Sequence, residues 1–163
     1  MKNYLYFSLL FSLFLFTFSL YADDPKIDIK LPYGWEQKNT TENEGTTIYY
    51  FASKENKGQA EHLGAIFQKE SKDLNDSASH LKANLTELYP KAEFEIAVVD
   101  QSANSITYEW IAKEKGKQIA YGISKDISTP EGTFYLGYKT TDLSTIYKAR
   151  STWLPIIKNA SSK

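Results

Sequence analysis

The sequence contains no cysteine among its 163 residues, and its charge is almost balanced, with 19 basic and 20 acidic side chains. The absence of cysteine excludes a disulfide framework, thiolate zinc sites, cysteine nucleophiles and thiol redox chemistry. General nucleic-acid binders and polybasic membrane surfaces both depend on clustered positive charge. We therefore expect no nucleic-acid partner and no membrane contact through a basic surface.

Catalytic and ligand-binding signatures are also missing from the chain. It has no G-x-S-x-G nucleophile turn, H-E-x-x-H zinc motif, Walker loop, G-x-G-x-x-G turn or acidic calcium loop. We accordingly predict a protein that is not an enzyme, with no catalytic residues, no metal site and no cofactor. One alternative stays open, a small periplasmic hydrolase that uses His62 or His80, the only two histidines, with a nearby serine or acid.

Residues 1–22 have the organisation of a secretory signal peptide. Lys2 is followed by an uncharged stretch rich in phenylalanine and leucine, and small Ala22 precedes Asp23 and Asp24. We predict cleavage after Ala22 and a periplasmic or secreted protein of the bacterial envelope, where a chain without disulfides is common. An uncleaved anchor is the alternative, because the apolar stretch nearly spans a bilayer and Leu20 is large for the third position before a cleavage site. Membrane contact would then be made through the leader only.

Residues 23–163 are predicted to form a single α+β domain. Alternation of apolar and polar residues predicts three strands, then four more after a helix, at 26–31, 46–53, 61–68, 93–99, 106–112, 118–124 and 133–139. Asp76 is the predicted N-cap of the intervening helix, which Pro90 ends. Thr141 or Asp142 is the predicted N-cap of a final helix.

The predicted architecture is an α/β/α sandwich, a single antiparallel-rich sheet of about seven strands flanked by two helices in the order βββαββββα. Short turns make the last four strands antiparallel neighbours. One sheet face is expected to carry Phe94, Ile96, Val98, Ile106, Tyr108, Trp110, Ile119, Tyr121, Ile123, Phe134, Leu136 and Tyr138. The opposite face is expected to carry Tyr49, Phe51, Ile66, Val99, Ile111 and Tyr135, so both faces need a cover.

Strand aromatics are the best candidates for a binding surface. Tyr49, Tyr50 and Phe51 are consecutive, and because side chains alternate along a strand, at least one must point away from the main core. Tyrosine offers a large contact area at low entropic cost. We select Tyr49, Phe51 and Tyr135 as predicted binding residues, with core packing beneath a helix as the alternative role.

The element order, together with the opener Leu31-Pro32-Tyr33-Gly34-Trp35, resembles the PsbP-like superfamily. That superfamily includes photosystem extrinsic proteins, Ran-binding Mog proteins and DcrB-like envelope proteins. The resemblance covers nearly all of residues 23–163 and implies an α/β/α sandwich with a role in binding or assembly. It assigns no functional residue, because its members bind unrelated partners. We therefore predict an exported binding or assembly domain whose partner is another protein or a small amphiphile.

Overall fold

The computed structural model describes residues 25–54 and 60–163. The predicted signal peptide, residues 1–22, lies outside the described residues, so its cleavage stays a prediction. In the described part of the chain, no helix combines the length and the apolar character that a membrane crossing requires.

Seven antiparallel strands form one large sheet, which confirms the predicted α+β class. Its strands are β2 (Trp35–Asn43), β3 (Thr46–Ser53), β4 (Glu61–Gln68), β5 (Glu93–Gln101), β6 (Ser105–Glu114), β7 (Lys117–Thr129) and β8 (Gly132–Thr140). Their spatial order in the sheet is β2-β3-β4-β8-β7-β6-β5. Two helices accompany it, α1 (Ser77–Leu88) and α2 (Ile146–Asn159).

The predicted first strand, residues 26–31, does not belong to the large sheet. Only β1 (Ile27–Asp28) is a strand, and it pairs antiparallel with β9 (Ser161–Ser162) at the other end of the chain. Half-buried Ile27, Ile29 and Leu31 nevertheless pack against the hydrophobic core. Their alternation therefore reflects packing against the core rather than a place in the main sheet.

Sequence patterning misses β2, the edge strand that supplies the seventh member of the sheet. Its sequence WEQKNTTEN is almost wholly polar, and its last seven residues are exposed. An edge strand with little burial has no apolar alternation to detect. The one local signal is the two-residue turn Glu44-Gly45, in which both residues have positive φ, +40° and +80°, as a type I′ hairpin requires.

The remaining strands confirm the prediction in position and extend it in length. The predicted segments 46–53 and 61–68 coincide with β3 and β4. Strands β6 and β7 are joined by Lys115-Gly116, again with positive φ at both residues, 52° and 75°, so pairing continues up to the turn. The strands are longer than predicted because polar residues at their ends still take part in the backbone ladder.

The apolar residues predicted for one sheet face are in fact divided between two faces. Trp110 lies opposite Gly122, whereas its neighbour Ile111 lies opposite Tyr121, so these two rungs point to opposite sides of the sheet. Phe94, Ile96, Trp110 and Ile119 pack with α1, while Tyr121, Ile123, Phe134, Leu136 and Tyr138 pack with α2. Tyr49 and Phe51 belong to the α2 side as well. Since both faces are covered, an apolar side chain alone does not reveal its face.

Asp76 is the N-cap residue of α1, as predicted, and a 3₁₀ turn at Leu74–Asp76 precedes the helix. Asp73, not Asp76, caps this turn, since its Oδ1 accepts from the backbone N–H of Asn75 at 2.9 Å. Asp76 makes no capping hydrogen bond with its side chain. Of the two predicted caps of the final helical stretch, Asp142 caps the 3₁₀ turn Leu143–Thr145, where its Oδ1 accepts from the N–H of Ser144 at 3.1 Å. The N-cap of α2 itself is Thr145.

The main core lies between α2 and the sheet. Trp153 of α2 stacks on Tyr138, with 4.7 Å between ring centres, and makes an edge contact with Trp35 at 4.8 Å. Trp35 closes the Leu-Pro-x-Gly-Trp turn, where its N–H donates to the carbonyl of Pro32 at 3.1 Å and Gly34 has a φ of +84°. Through Trp35, the opener therefore packs the start of the domain against α2.

Candidate functional site

Helix α1 covers only part of its side of the sheet. Its buried residue Leu85 packs on Trp110, Ala112 and Ala120, which belong to β6 and β7. The side chains of β4 and β8 on the same face extend beyond this contact. A groove of about 630 Å³ runs between them and the helix, and we call it the α1 groove. This volume lies within the range of small-molecule binding sites.

The floor of the α1 groove consists of three cross-strand pairs of β4 and β8. They are His62 with Lys139, Gly64 with Gly137, and Ile66 with Tyr135. Directly opposed side chains in an antiparallel pair are neighbours on one face. The floor therefore has no side chains in its middle, at the glycine pair, and carries side chains at both ends.

The two floor glycines keep the groove open, rather than being required by crowding. A Cβ atom at Gly64 would approach nothing nearer than the carbonyl oxygen of Tyr49 at 3.7 Å, and one at Gly137 nothing nearer than Ser124 Oγ at 3.9 Å. Gly122 is different, because a Cβ there would overlap the ring of Trp110 and lie 2.7 Å from the carbonyl oxygen of Tyr138. A side chain at Gly64 or Gly137 would fit the backbone but would occupy the groove.

Apolar side chains border this floor and are open to solvent. Tyr50 on β3 is 49% exposed, Ile66 on β4 38% and Leu88 at the end of α1 58%. All three line the groove. Large apolar groups exposed beside a concave surface are typical of binding sites.

One end of the groove holds a buried polar cluster around Asp126 of β7. Ser77 Oγ, at the start of α1, donates a hydrogen bond to the Asp126 carboxylate. Burial raises the pKa of Asp126 to about 6, although the hydrogen bond from Ser77 and the proximity of His80 and Lys72 act in the opposite direction. This carboxyl therefore changes charge near neutral pH.

Tyr135 lies next to this cluster, and its hydroxyl group makes no hydrogen bond to the residues that the structure describes. This hydroxyl is buried. The nearby Thr133 hydroxyl accepts from Lys72 N–H at 3.1 Å and donates to the Glu70 carbonyl at 3.2 Å. Burial raises the pKa of Tyr135, so the phenol stays protonated at neutral pH. It is a hydrogen-bond donor at the closed end of the groove.

The other end of the groove is basic. Lys139 is half-buried, its Nζ lies 5.9 Å from the centre of the Tyr89 ring, and within the described ranges it forms no ion pair. His62, its direct partner on β4, is exposed. The two ends are about 13 Å apart, since Tyr135 and Lys139 are separated by four residues at about 3.3 Å each.

The structure does not bring the three predicted binding residues together. Tyr49 and Phe51 point to the α2 side and are 6% and 7% exposed, and the Tyr49 hydroxyl donates to the Pro25 carbonyl at 3.2 Å. Tyr135 lies on the other face, in the α1 groove. The member of the aromatic run that points outward is Tyr50. Alternation indicated that one aromatic must do so, but not which, because both faces are apolar.

The geometry does not assemble a serine–histidine–acid relay from these residues. In such a relay the serine hydroxyl donates to the histidine, and the histidine donates to the acid. Here the hydroxyl of Ser77 donates directly to Asp126. His62 and His80 lie at opposite ends of the groove. Over residues 25–54 and 60–163, no cluster of three or more metal-ligating side chains occurs.

Comparison with known proteins identifies the fold. No protein-family model and no curated protein sequence matches the chain. The solution structure of cyanobacterial PsbP (CyanoP) from Synechocystis sp. PCC 6803 matches with a TM-score of 0.58 and 8% identity, covering 85% of this chain and 92% of that one. The fold is PsbP-like. At this identity the likeness concerns the fold alone.

A second structure shares the general arrangement less closely. LpqN, described as involved in cell envelope biogenesis of Mycobacterium tuberculosis, aligns with a TM-score of 0.49 and 14% identity, over 88% of this chain and 87% of that one. The match to CyanoP confirms the PsbP-like fold predicted from the opener and the element order. In this fold two helices lie on opposite faces of one sheet. The α1 groove arises because α1 packs on β6 and β7 and leaves part of β4 and β8 uncovered.

Proposed function

We propose that this protein is an exported, non-enzymatic domain of the bacterial cell envelope that binds a partner in the α1 groove. The observation that carries the proposal is an apolar concavity with a bare glycine floor and exposed Tyr50, Ile66 and Leu88 at its border. A protein side chain or a small amphiphile would bury this surface. Of the residues predicted from sequence, Tyr135 remains in the proposed site, and Tyr50 joins it.

Site-specific photo-crosslinking in cells tests the proposed site. A photoreactive phenylalanine derivative replaces Tyr50, and in a matched control it replaces Tyr147, which is 90% exposed on α2 and lies on the other side of the sheet. We expect a defined adduct from position 50 only. That adduct should disappear when Gly137→Leu fills the groove. Adducts of equal yield at both positions, or none at position 50, would contradict the proposal.

Export is tested by N-terminal sequencing of the protein recovered from the envelope fraction. A chain that begins at Asp23 supports the signal-peptide prediction. A chain that retains residues 1–22 makes the leader an anchor, and the domain would then act at a membrane surface.

The hydrolase alternative has a direct test of its own. The double variant His62→Ala/His80→Ala removes both histidines of the sequence. Under our proposal, the wild type and the double variant release p-nitrophenol from short-chain esters at the same background rate. A histidine-dependent rate in the wild type would favour the enzyme instead.

A further inference from the structure

We propose that the occupant of the α1 groove is a single-chain anionic amphiphile, whose alkyl chain lies on the glycine floor and whose headgroup pairs with Lys139. This inference deepens the proposed function, because it assigns a ligand class to the same site. It depends on three properties of the groove, namely the pairing of its floor strands, its charges and its polar closed end.

The pairing of the floor strands favours an alkyl chain over an extended peptide. β4 and β8 are paired without interruption from Glu61 with Thr140 to Gln68 with Thr133. Their backbone groups are therefore already used, and both strands lie inside the sheet. An extended peptide on this face would bury its own N–H and C=O groups without partners, at a cost of about 1–3 kcal/mol each. An alkyl chain has no such groups.

The charges of the groove favour a negative headgroup. Lys139 and His62 face each other across β4 and β8 at the open end, and no carboxylate pairs with Lys139 in the described ranges. Among the residues that the structure describes, the only acidic side chain lining the groove is Asp126, which is buried at the far end and accepts from Ser77. A carboxylate at Lys139 would give the half-buried ammonium an anionic partner. A cationic headgroup would be repelled there.

The closed end of the groove limits how far the alkyl chain can extend. Ile66, Tyr135 and Asp126 form one row across β4, β8 and β7, and beyond this row the backbone N–H of Lys72 donates to the Thr133 hydroxyl. An alkyl chain that extended past this point would desolvate polar groups without pairing them. The distance of about 13 Å between Lys139 and Tyr135 therefore limits how much of the chain is buried.

Three single-chain amphiphiles of nearly equal alkyl length test the proposal. Laurate is anionic, monolaurin is neutral and dodecyltrimethylammonium is cationic at pH 7.5. Their affinities are measured by titration calorimetry below their critical micelle concentrations, on the protein purified after export. We expect laurate to bind about tenfold more tightly than monolaurin. A charge-assisted hydrogen bond to a half-buried lysine contributes a binding free energy of about 1.4 kcal/mol, which corresponds to this ratio of affinities. Dodecyltrimethylammonium should bind most weakly.

Two variants locate the headgroup and the chain. Lys139→Gln should reduce laurate affinity about tenfold and leave monolaurin unchanged. Gly137→Leu should abolish binding of all three, with an unchanged circular dichroism spectrum as the check on folding. Lys148→Gln is the matched control, because Lys148 is exposed on α2 on the other side of the sheet and should leave every affinity unaltered.

The outcomes separate this inference from the proposed function. Equal binding of laurate and monolaurin, or laurate binding that survives Lys139→Gln, would overturn the headgroup assignment. If no amphiphile binds while position 50 still crosslinks to a protein in cells, the occupant is a protein segment and the inference fails, but the binding function stands. If neither assay gives a signal, both the amphiphile inference and the proposed binding function are contradicted.

Discussion

The Nζ atom of Lys125 donates a hydrogen bond of 2.8 Å to the carbonyl oxygen of Ala160, immediately after the last turn of α2. The same ammonium donates to the carbonyl oxygen of Lys158 at 2.6 Å. Lys125 is buried in the sheet, and burial lowers the pKa of its side chain. A cation at a helix C-terminus satisfies carbonyl groups that have no intrahelical donor. The contact thus joins β7 to the end of the chain.

Replacing this lysine should loosen the C-terminal end of α2. Lys125→Met keeps the length of the side chain but removes both hydrogen bonds to the helix carbonyls. We expect the free energy of unfolding to fall by about 1–3 kcal/mol, the usual range for a lost charged hydrogen bond. Chemical denaturation measures the change. Lys148→Met, at an exposed lysine of the same helix, is the control, and an equal effect of the two variants would contradict this role of Lys125.

Asp126 should make the protein more stable in mild acid than at neutral pH, relative to a variant that lacks the carboxyl. Its pKa of about 6 in the folded state exceeds the unfolded value, so folding favours the protonated form. The contribution is complete below about pH 4 and is lost as the pH rises through 6. Ser77, His80, Lys72 and Tyr135 face the carboxyl and remain the same in both proteins.

The variant Asp126→Asn isolates this effect, because the amide oxygen can still accept from Ser77. At pH 7.5 it should be more stable than the wild type by up to about 3 kcal/mol, from about two pKa units at 1.36 kcal/mol each. At pH 4 the two proteins should unfold at nearly the same denaturant concentration. A stability difference that does not change between pH 4 and 7.5 would refute the assignment.

Two glycines on the same sheet face should respond differently to an added methyl group. Gly122→Ala forces a Cβ into the Trp110 ring and towards the Tyr138 carbonyl, so we expect a loss of about 1–3 kcal/mol or more from overpacking. Gly137→Ala meets only Ser124 Oγ at 3.9 Å and should change stability by less than about 1 kcal/mol. Thermal melting of both variants measures the two changes in stability. Comparable losses would show that the floor of the groove is as tightly packed as the contact beneath α1.

Arg150 should stabilise the docking of α2 in a pH-dependent way. Its guanidinium donates to both carboxylate oxygens of Glu109, at 2.7 and 3.0 Å, and the Tyr121 hydroxyl donates to the same carboxylate at 2.6 Å. Arg150 and this phenol together lower the pKa of Glu109. A lowered carboxyl pKa adds stability above the unfolded value, and this is lost as the pH falls through the folded one.

Arg150→Gln should therefore cost about 1 kcal/mol at pH 7, a modest value because Arg150 is exposed. The cost should vanish once the pH is low enough to protonate Glu109 in the folded protein. Denaturation curves at a series of pH values measure both. A cost that persists in strong acid would mean that Arg150 acts through packing alone.

Much of the secondary structure follows from local patterns in this chain. Residues 46–53 and 61–68 alternate and end at turns, and their predicted bounds coincide with β3 and β4. Helix α1 ends at Leu88, before Pro90, because proline disfavours helical angles at the residue that precedes it. The PsbP-like fold was also predictable, since the order of elements and the Leu31-to-Trp35 opener carry that information.

The faces of the sheet were not predictable in the same way. Tyr49 and Tyr50 are neighbours of equal polarity, yet one is buried under α2 and the other borders the α1 groove. A shift of one residue in register exchanges the two, and an alternating pattern specifies register only where one face is polar. Here helices cover parts of both faces, so the sequence left the choice open.

The sequence by itself determined the class of fold, the absence of cysteine chemistry and the positions of most strands and both helices, because these depend on neighbours a few residues apart. Only the tertiary structure decided which residues form the groove. His62, Gly64 and Ile66 meet Lys139, Gly137 and Tyr135 through pairing over more than 65 residues of chain, and α1 leaves them uncovered by packing on β6 and β7 instead. Burial and concavity arise from such long-range contacts, which no local pattern encodes.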